Sequence, residues 1–226
     1  MKPIETSLAN RVLMPEGTVN GPHPAIILIH GRGADEDDLL GLSTAFDERL
    51  LLLSVRAPYP YPPSNGYTWY DADAVGTPEP SMFRTSYDML TSFVEDILSG
   101  YPIDPTRVFL FGFSMGSVMA LALSLTRPEQ YRGVVAHSGY VPEGTHLSLR
   151  WKSLAHTSFF LAHGSLDPVI PISLARRAHV LFMGSDASLT YREYPMGHQI
   201  SDESLGDVVR WMAPLLEQRG EQTACP

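Results

Sequence analysis

A chain of 226 residues with 44% apolar, 10% aromatic and 18% charged residues can form one sizeable hydrophobic core and lies far from the charge-rich composition of disordered segments. A net charge of −9 with no Lys/Arg-rich stretch excludes the electrostatic footprint of a nucleic-acid or anionic-membrane binder. The single cysteine, Cys225, stands next to last, which leaves no disulfide framework and no thiolate metal cluster.

The opening Met1-Lys2-Pro3-Ile4-Glu5-Thr6 has no apolar targeting segment, and no apolar run approaches the length of a membrane span. The expectation is a cytoplasmic protein without stable membrane anchoring. With no repeat, charge block or Gly/Ser linker, one domain is expected over 1–220, followed by a polar tail at 221–226.

In chain order, short continuous apolar runs mark strands at "AIILIH" (25–30), "LLLSVRA" (51–57), "RVFLFGF" (107–113), "RGVVAHS" (132–138), "FFLAHG" (159–164) and "LTYREY" (189–194). Continuous rather than alternating apolarity predicts strands covered on both faces. Helical patterns lie between them. Tyr87, Leu90, Val94, Ile97 and Leu98 recur at helical spacing and stop at Gly100, and a Met/Ala/Leu run follows Ser114. After Ser201 as a plausible N-cap, Leu205, Val208, Val209, Met212, Leu215 and Leu216 form a last apolar stripe. Strands alternating with helices predict an α/β fold, a mostly parallel central sheet with helices on both faces.

The stretch 57–81 is the exception, with six prolines, the aromatic residues Tyr59, Tyr61, Tyr67, Trp69 and Tyr70, and no consistent period. A connection of this length is functional or disordered in most domains, and its aromatic content argues for order. It is a candidate wall for an apolar substrate.

"FLFGFSMGSVMALAL" (109–123) sets a serine between two glycines where a strand pattern turns into a helix pattern. A serine oxygen must stand clear of the backbone to meet both a base and a substrate, and a sharp strand-to-helix turn exposes it. The crowding such a turn creates is relieved by glycine two residues before and two after. Gly112, Ser114 and Gly116 occupy these positions of a nucleophile elbow, and the helix start directs the N–H of Met115 at the site. The order serine, acid, base then requires an Asp and a His after later strands. Asp167 follows the run 159–164 and His198 follows the run 189–194. His30, His137 and His163 also end strands, but only His198 lies after the last strand and downstream of a suitable Asp.

The first strand run leads into His30-Gly31-Arg32-Gly33, which offers the backbone N–H of Arg32 as a second oxyanion donor. The acidic cluster Asp35-Glu36-Asp37-Asp38 lacks the ligand spacing of a calcium loop and suits the first turn of a helix, so no metal is expected.

With "LIHGRGADEDDL", "RAP" followed by "WYD", "RVFLFGFSMGSVMALAL", "HSGYVPE", "LAHGSLDPVIP" and "YPMGHQI" in the same order, the chain resembles the small carboxylesterase/phospholipase family of α/β-hydrolases, which includes acyl-protein thioesterases. The resemblance implies Ser114 as nucleophile, Asp167 and His198 as its partners, the N–H groups of Arg32 and Met115 as oxyanion hole, no cofactor and, often, a homodimer. Met115 and Ser117 depart from the family's usual elbow residues, and Arg32 stands where leucine is common.

About twenty residues separate the runs 132–138 and 159–164, too few for a large helical cap. The expected cleft is therefore open, with Trp69, Tyr70, Met82 and Phe83 as substrate-binding candidates. The expected activity is hydrolysis of short- to medium-chain carboxylic esters, a small-molecule substrate class. Long-chain acyl-protein thioesterase or lysophospholipase activity is the alternative, and a non-catalytic ligand-binding scaffold the rival from another class.

Overall fold

A computed structural model describes residues 4–15 and 21–217; the tail expected at 221–226 and Cys225 lie outside the described residues. Seven strands form the central sheet: β1 (Asn10–Leu13), β2 (His23–Ile29), β3 (Leu51–Val55), β8 (Ile103–Phe113), β9 (Gly133–His137), β10 (Ser158–Gly164) and β11 (Ser188–Tyr194), in the spatial order β1-β3-β2-β8-β9-β10-β11. All neighbours pair in parallel except β1, which runs antiparallel to β3 at the edge. All six strands expected from apolar runs are present. β1 has only a short half-exposed alternation, too weak a pattern to be read as a strand.

The helices are α1 (Pro80–Gly100), α2 (Met115–Thr126), α3 (Ile172–Met183) and α4 (Asp202–Glu217). Residues of α1, α2 and α3 pack with Ala25, Ile27 and Ile29 on one face of the sheet. Residues of α4 and a 3₁₀ turn at Leu39–Ala45 pack with Ile26 and Leu28 on the other. Every residue of β2 is buried, which is why its sequence is unbroken rather than alternating: the pleat sends successive side chains into two different cores. Fully burying each of its Ile and Leu side chains contributes roughly 1.5–3 kcal/mol.

The N-terminus of α4 is held as expected, with the Ser204 N–H donating to Ser201 Oγ at 3.2 Å and the Ser201 N–H to Ser204 Oγ at 3.0 Å. At the head of α1, the carboxylate of Glu79 accepts from the Ser81 and Met82 N–H groups, satisfying amides that have no partner within the helix.

The proline-rich stretch is ordered as two small hairpins, β4 (Tyr59–Tyr61) with β5 (Gly66–Thr68) and β6 (Ala72–Ala74) with β7 (Thr77–Pro78). Proline suits such short ribbons because they have few ladder positions that need its missing N–H. Among the described residues no helix is long and apolar enough to cross a membrane.

Three buried histidines end strands. His30 Nε2 receives the N–H of Ala57 at 3.0 Å, and His137 meets Ser204 Oγ through Nε2 and Ser138 Oγ through Nδ1, both at 3.0 Å. His163 Nε2 donates to the Ile170 carbonyl at 2.8 Å. Burial lowers all three, His137 to about 3, helped there by His163 and His198 nearby. A histidine lowered on folding binds fewer protons folded than unfolded, so its stabilisation is complete above the unfolded value near 6.5 and is lost as pH falls from there towards 3. The unfolding free energy from urea titrations should therefore drop steadily between pH 6.5 and 4, by up to about 1.4 kcal/mol per pH unit for each such group. The slope should be shallower in His137→Gln.

Candidate active site

The four segments singled out in the sequence all lie at the carboxyl ends of parallel strands: residues 30–33 after β2, Ser114 after β8, Asp167 after β10 and His198 after β11. From β2 the chain moves to β3 on one side, then returns to β8 on the other, so the connections leaving β2 and β8 part and open a crevice between them.

Ser114 has φ 55° and ψ −121°, a conformation that costs a non-glycine residue of order 1–3 kcal/mol. Its surroundings impose this turn. The Ser114 N–H donates to the His137 carbonyl at 2.9 Å, and the Ser114 carbonyl accepts the Ser117 N–H at 3.0 Å and the Ser117 hydroxyl at 2.8 Å. A Cβ on Gly116 would drive into the carbonyls of Ile29 and His30, and one on Gly112 into the backbone of Gly116. Strand β2 and helix α2 can approach this closely only through glycine.

Ser114 Oγ lies 2.9 Å from His198 Nε2, and His198 Nδ1 lies 2.7 Å from Asp167 Oδ2. The other Asp167 oxygen accepts the N–H groups of Val169 at 2.8 Å and Ile170 at 2.9 Å. Burial pushes the Asp167 carboxyl up, but the His198 contact and the two amides outweigh it and hold the group below its ordinary value. Asp167 is sealed from solvent, whereas His198 keeps an edge open and rests its ring on Phe113 at 5.0 Å. Gly164 lets the two loops meet, because a Cβ there would strike the carbonyls of Met196 and Gly197 just before His198.

The segment 31–33 crosses above the serine; a Cβ on Gly31 would sit 3.2 Å from Ser114 Cβ. Neither the Arg32 nor the Met115 N–H donates to an acceptor of the described residues. The structure thus joins Ser114, His198 and Asp167 in one hydrogen-bonded line and sets Gly31, the residue before Arg32, against Ser114.

The proline-rich stretch has a different place from the one expected of it. Gly33 N–H donates to the Tyr67 carbonyl and Tyr67 N–H to the Ala34 carbonyl, each at 2.8 Å, while Trp69 Nε1 donates to the His30 carbonyl at 2.8 Å. Arg56 grips Glu36 through two bonds of 2.5 Å and lies over the Tyr67 ring at 4.6 Å. The stretch is thus a brace for the 30–36 segment. Trp69 and Tyr70 are 0% exposed and Phe83 1%, so these rings are core behind the crevice and do not line it. Indole and phenyl rings of this size are drawn inward by the area they bury. Met82 is half-buried beside them. Met115 meets the Thr68 hydroxyl through its sulfur at 3.5 Å.

Two neighbours have no site role in the sequence reading, which names His163 only as a strand-end histidine. His163 Nε2 stands 3.5 Å from Asp167 Oδ2, and Tyr140 pairs its hydroxyl with that of Tyr70 at 3.1 Å. Only their places, His163 in the last residues of β10 and Tyr140 just past β9, could have marked them. The acidic cluster is occupied by ion pairs, Glu36 with Arg56 and Asp37 with Arg11, and no cluster of three or more metal-ligating side chains occurs among the described residues.

A mostly parallel sheet covered on both faces, with this elbow and no large cap, defines the α/β-hydrolase fold. The chain belongs to the phospholipase/carboxylesterase family, whose model matches residues 16–215. Acyl-protein thioesterase 1 of Candida albicans is 25% identical over 214 residues, 86% of this chain and 93% of that protein. Its counterpart in Neurospora crassa is 27% identical over 245 residues, 96% of this chain and 98% of that protein. The structure of the Bacillus cereus carboxylesterase superposes with a TM-score of 0.80 at 24% identity, covering 92% of this chain and 94% of that one. The protein is therefore of the esterase and thioesterase class of hydrolases.

Gly116→Ala forces a methyl group into two backbone carbonyls that cannot yield without separating α2 from β2. A loss of more than about 3 kcal/mol in urea unfolding, or failure to fold, is the expected outcome. Gly41→Ala, which meets nothing within 4 Å, is the matched control.

Proposed function

We propose that the protein is a serine carboxylesterase that hydrolyses short- to medium-chain carboxylic esters through an acyl-enzyme on Ser114. The observation that carries this reading is the unbroken line Ser114 Oγ–His198–Asp167 at 2.9 and 2.7 Å beneath two unengaged amides.

With Nδ1–H donated to Asp167, His198 presents the lone pair of Nε2 to the serine hydroxyl. It takes that proton as Ser114 attacks the ester carbonyl, and Asp167, kept ionised by its amides, stabilises the imidazolium. Negative charge moves onto the carbonyl oxygen, where the N–H groups of Arg32 and Met115 receive it. His198 returns its proton to the departing alcohol, then activates a water that cleaves the acyl-enzyme. Each group is held before substrate arrives: Ser114 by its strained turn, Asp167 by two amides, and the Arg32 segment by Tyr67 and Trp69. Little reorganisation is left to the reaction itself. The reading needs no cofactor.

Support for short to medium acyl groups comes from the packing behind the serine, where Trp69, Tyr70 and Phe83 fill the core instead of opening a channel. The second reading, hydrolysis of acyl thioesters, draws on the relatives named acyl-protein thioesterase. The two are separated by the dependence of kcat/KM on chain length.

Ser114→Ala should lower kcat for 4-nitrophenyl butyrate by at least about a thousandfold while leaving the unfolding midpoint near that of the parent. A fluorophosphonate probe should label the parent once, at Ser114, and leave the variant unlabelled. Residual activity near the parent's overturns the assignment. Across 4-nitrophenyl esters of two to sixteen carbons, kcat/KM should peak below about ten, whereas a rise to the longest chains moves the activity to the thioesterase branch.

A further inference from the structure

Among the described residues ten arginines sit in salt bridges with carboxylates. Arg32, the one arginine above the serine, does not. Its guanidinium lies over the ring of Tyr61, with Cζ 5.7 Å from the centroid. On the segment that follows, Glu36 is paired with Arg56 and Asp37 with Arg11, and Asp35 accepts the Asp37 amide at 3.0 Å.

The direction of the side chain matters as much as its freedom. Gly31 packs against Ser114, so Arg32 departs from directly above the elbow. Its charge reaches the bonded hydroxyls of Tyr70 and Tyr140: burial pushes both phenols up, and Arg32 pulls against that shift in each. The guanidinium thus lies over Tyr61 within electrostatic reach of the Tyr70–Tyr140 pair, on an exposed residue next to the glycine that packs against Ser114.

We propose that the Arg32 side chain binds a carboxylate carried by the substrate, so that the preferred esters bear a negative charge a few bonds from the scissile carbonyl. The inference rests on the esterase reading above and narrows its substrate class. A guanidinium presents a planar fork that a carboxylate can accept at two oxygens. An exposed ion pair between free partners is weak, because the pairing must hold two mobile groups together. A carboxylate tethered to an ester already seated at Ser114 has lost most of that freedom, and the Tyr61 ring shields one face of the cation. A neutral ester leaves Arg32 solvated and incurs no buried-charge penalty. The preference is accordingly expected to be on the order of ten- to hundredfold, and not the larger factor of a desolvated pair.

The test compares kcat/KM within two matched pairs. Mono-4-nitrophenyl glutarate against 4-nitrophenyl valerate places the charge on the acyl side, and 4-butyryloxybenzoate against phenyl butyrate places it on the alcohol side. The parent should favour the charged member of one pair by at least about tenfold, and that pair identifies the side. Arg32→Gln should bring the ratio to about one and Arg32→Lys should keep part of it. Because the readout is a ratio, any general change in turnover at this position cancels. In the parent, raising the salt concentration should shrink the preference, a result that needs no variant. Ratios near one in the parent for both pairs, or a preference unchanged in Arg32→Gln, overturn the inference. Absence of Ser114-dependent turnover for all four esters overturns the esterase reading instead.

Discussion

Everything at the site depends on one close approach, that of helix α2 to strand β2 at Gly116. With no side chain there, the first turn of α2 lies against the carbonyls of Ile29 and His30. Strand β8 must then hand over to α2 within one residue, and Ser114 takes the positive φ that the handover demands. The strain lifts the serine oxygen above the sheet, and it is maintained by bonds to His137 and Ser117 that a relaxed turn would forfeit. The same contact seats residues 31–33 over the serine. One steric constraint thereby positions both the hydroxyl and the two amides.

The remaining groups are set by parallel topology. β10 and β11 run parallel to β9 and β8 and extend two residues past the level at which β8 ends, so the loops after them reach the same rim. Two glycines make the last fit possible: Gly164 admits the Met196–Gly197 turn, and Gly31 admits the serine. The histidine then lies between an ionised, fully enclosed carboxylate and the serine hydroxyl, with an edge of its own ring open to solvent. That asymmetry of environment orients the imidazole and decides which nitrogen faces which partner.

Electrostatically, the molecule is economical with its cations. In a chain of net charge −9, most arginines are tied to surface acids or, like Arg56, brace a loop. Surface pairs of this kind contribute little stability each. Within the acidic cluster they engage Glu36 and Asp37, and Arg32 rests over the Tyr61 ring.

The sequence alone was enough to determine the six main strands, the elbow and the chain order of Ser114, Asp167 and His198. Continuous apolar runs leave few alternatives to a strand covered on both sides, and a serine flanked by glycines between strand and helix patterns has few other uses. It could not determine which aromatic residues of 57–83 meet solvent. Trp69, Tyr70 and Phe83 are as apolar at a cleft wall as in a core, and only the packing of α1 against the sheet puts them inside. Likewise Tyr67, Trp69 and Arg56 show no local pattern that marks them as the brace of residues 30–36, because those bonds join residues twenty or more positions apart. The edge strand β1 was hidden by its half-exposed pattern, and the place of His163 beside Asp167 by its likeness to any strand-end histidine. Local periodicity records how one segment meets its own core; which loops meet one another is decided by strand order, and that exists only in the folded sheet.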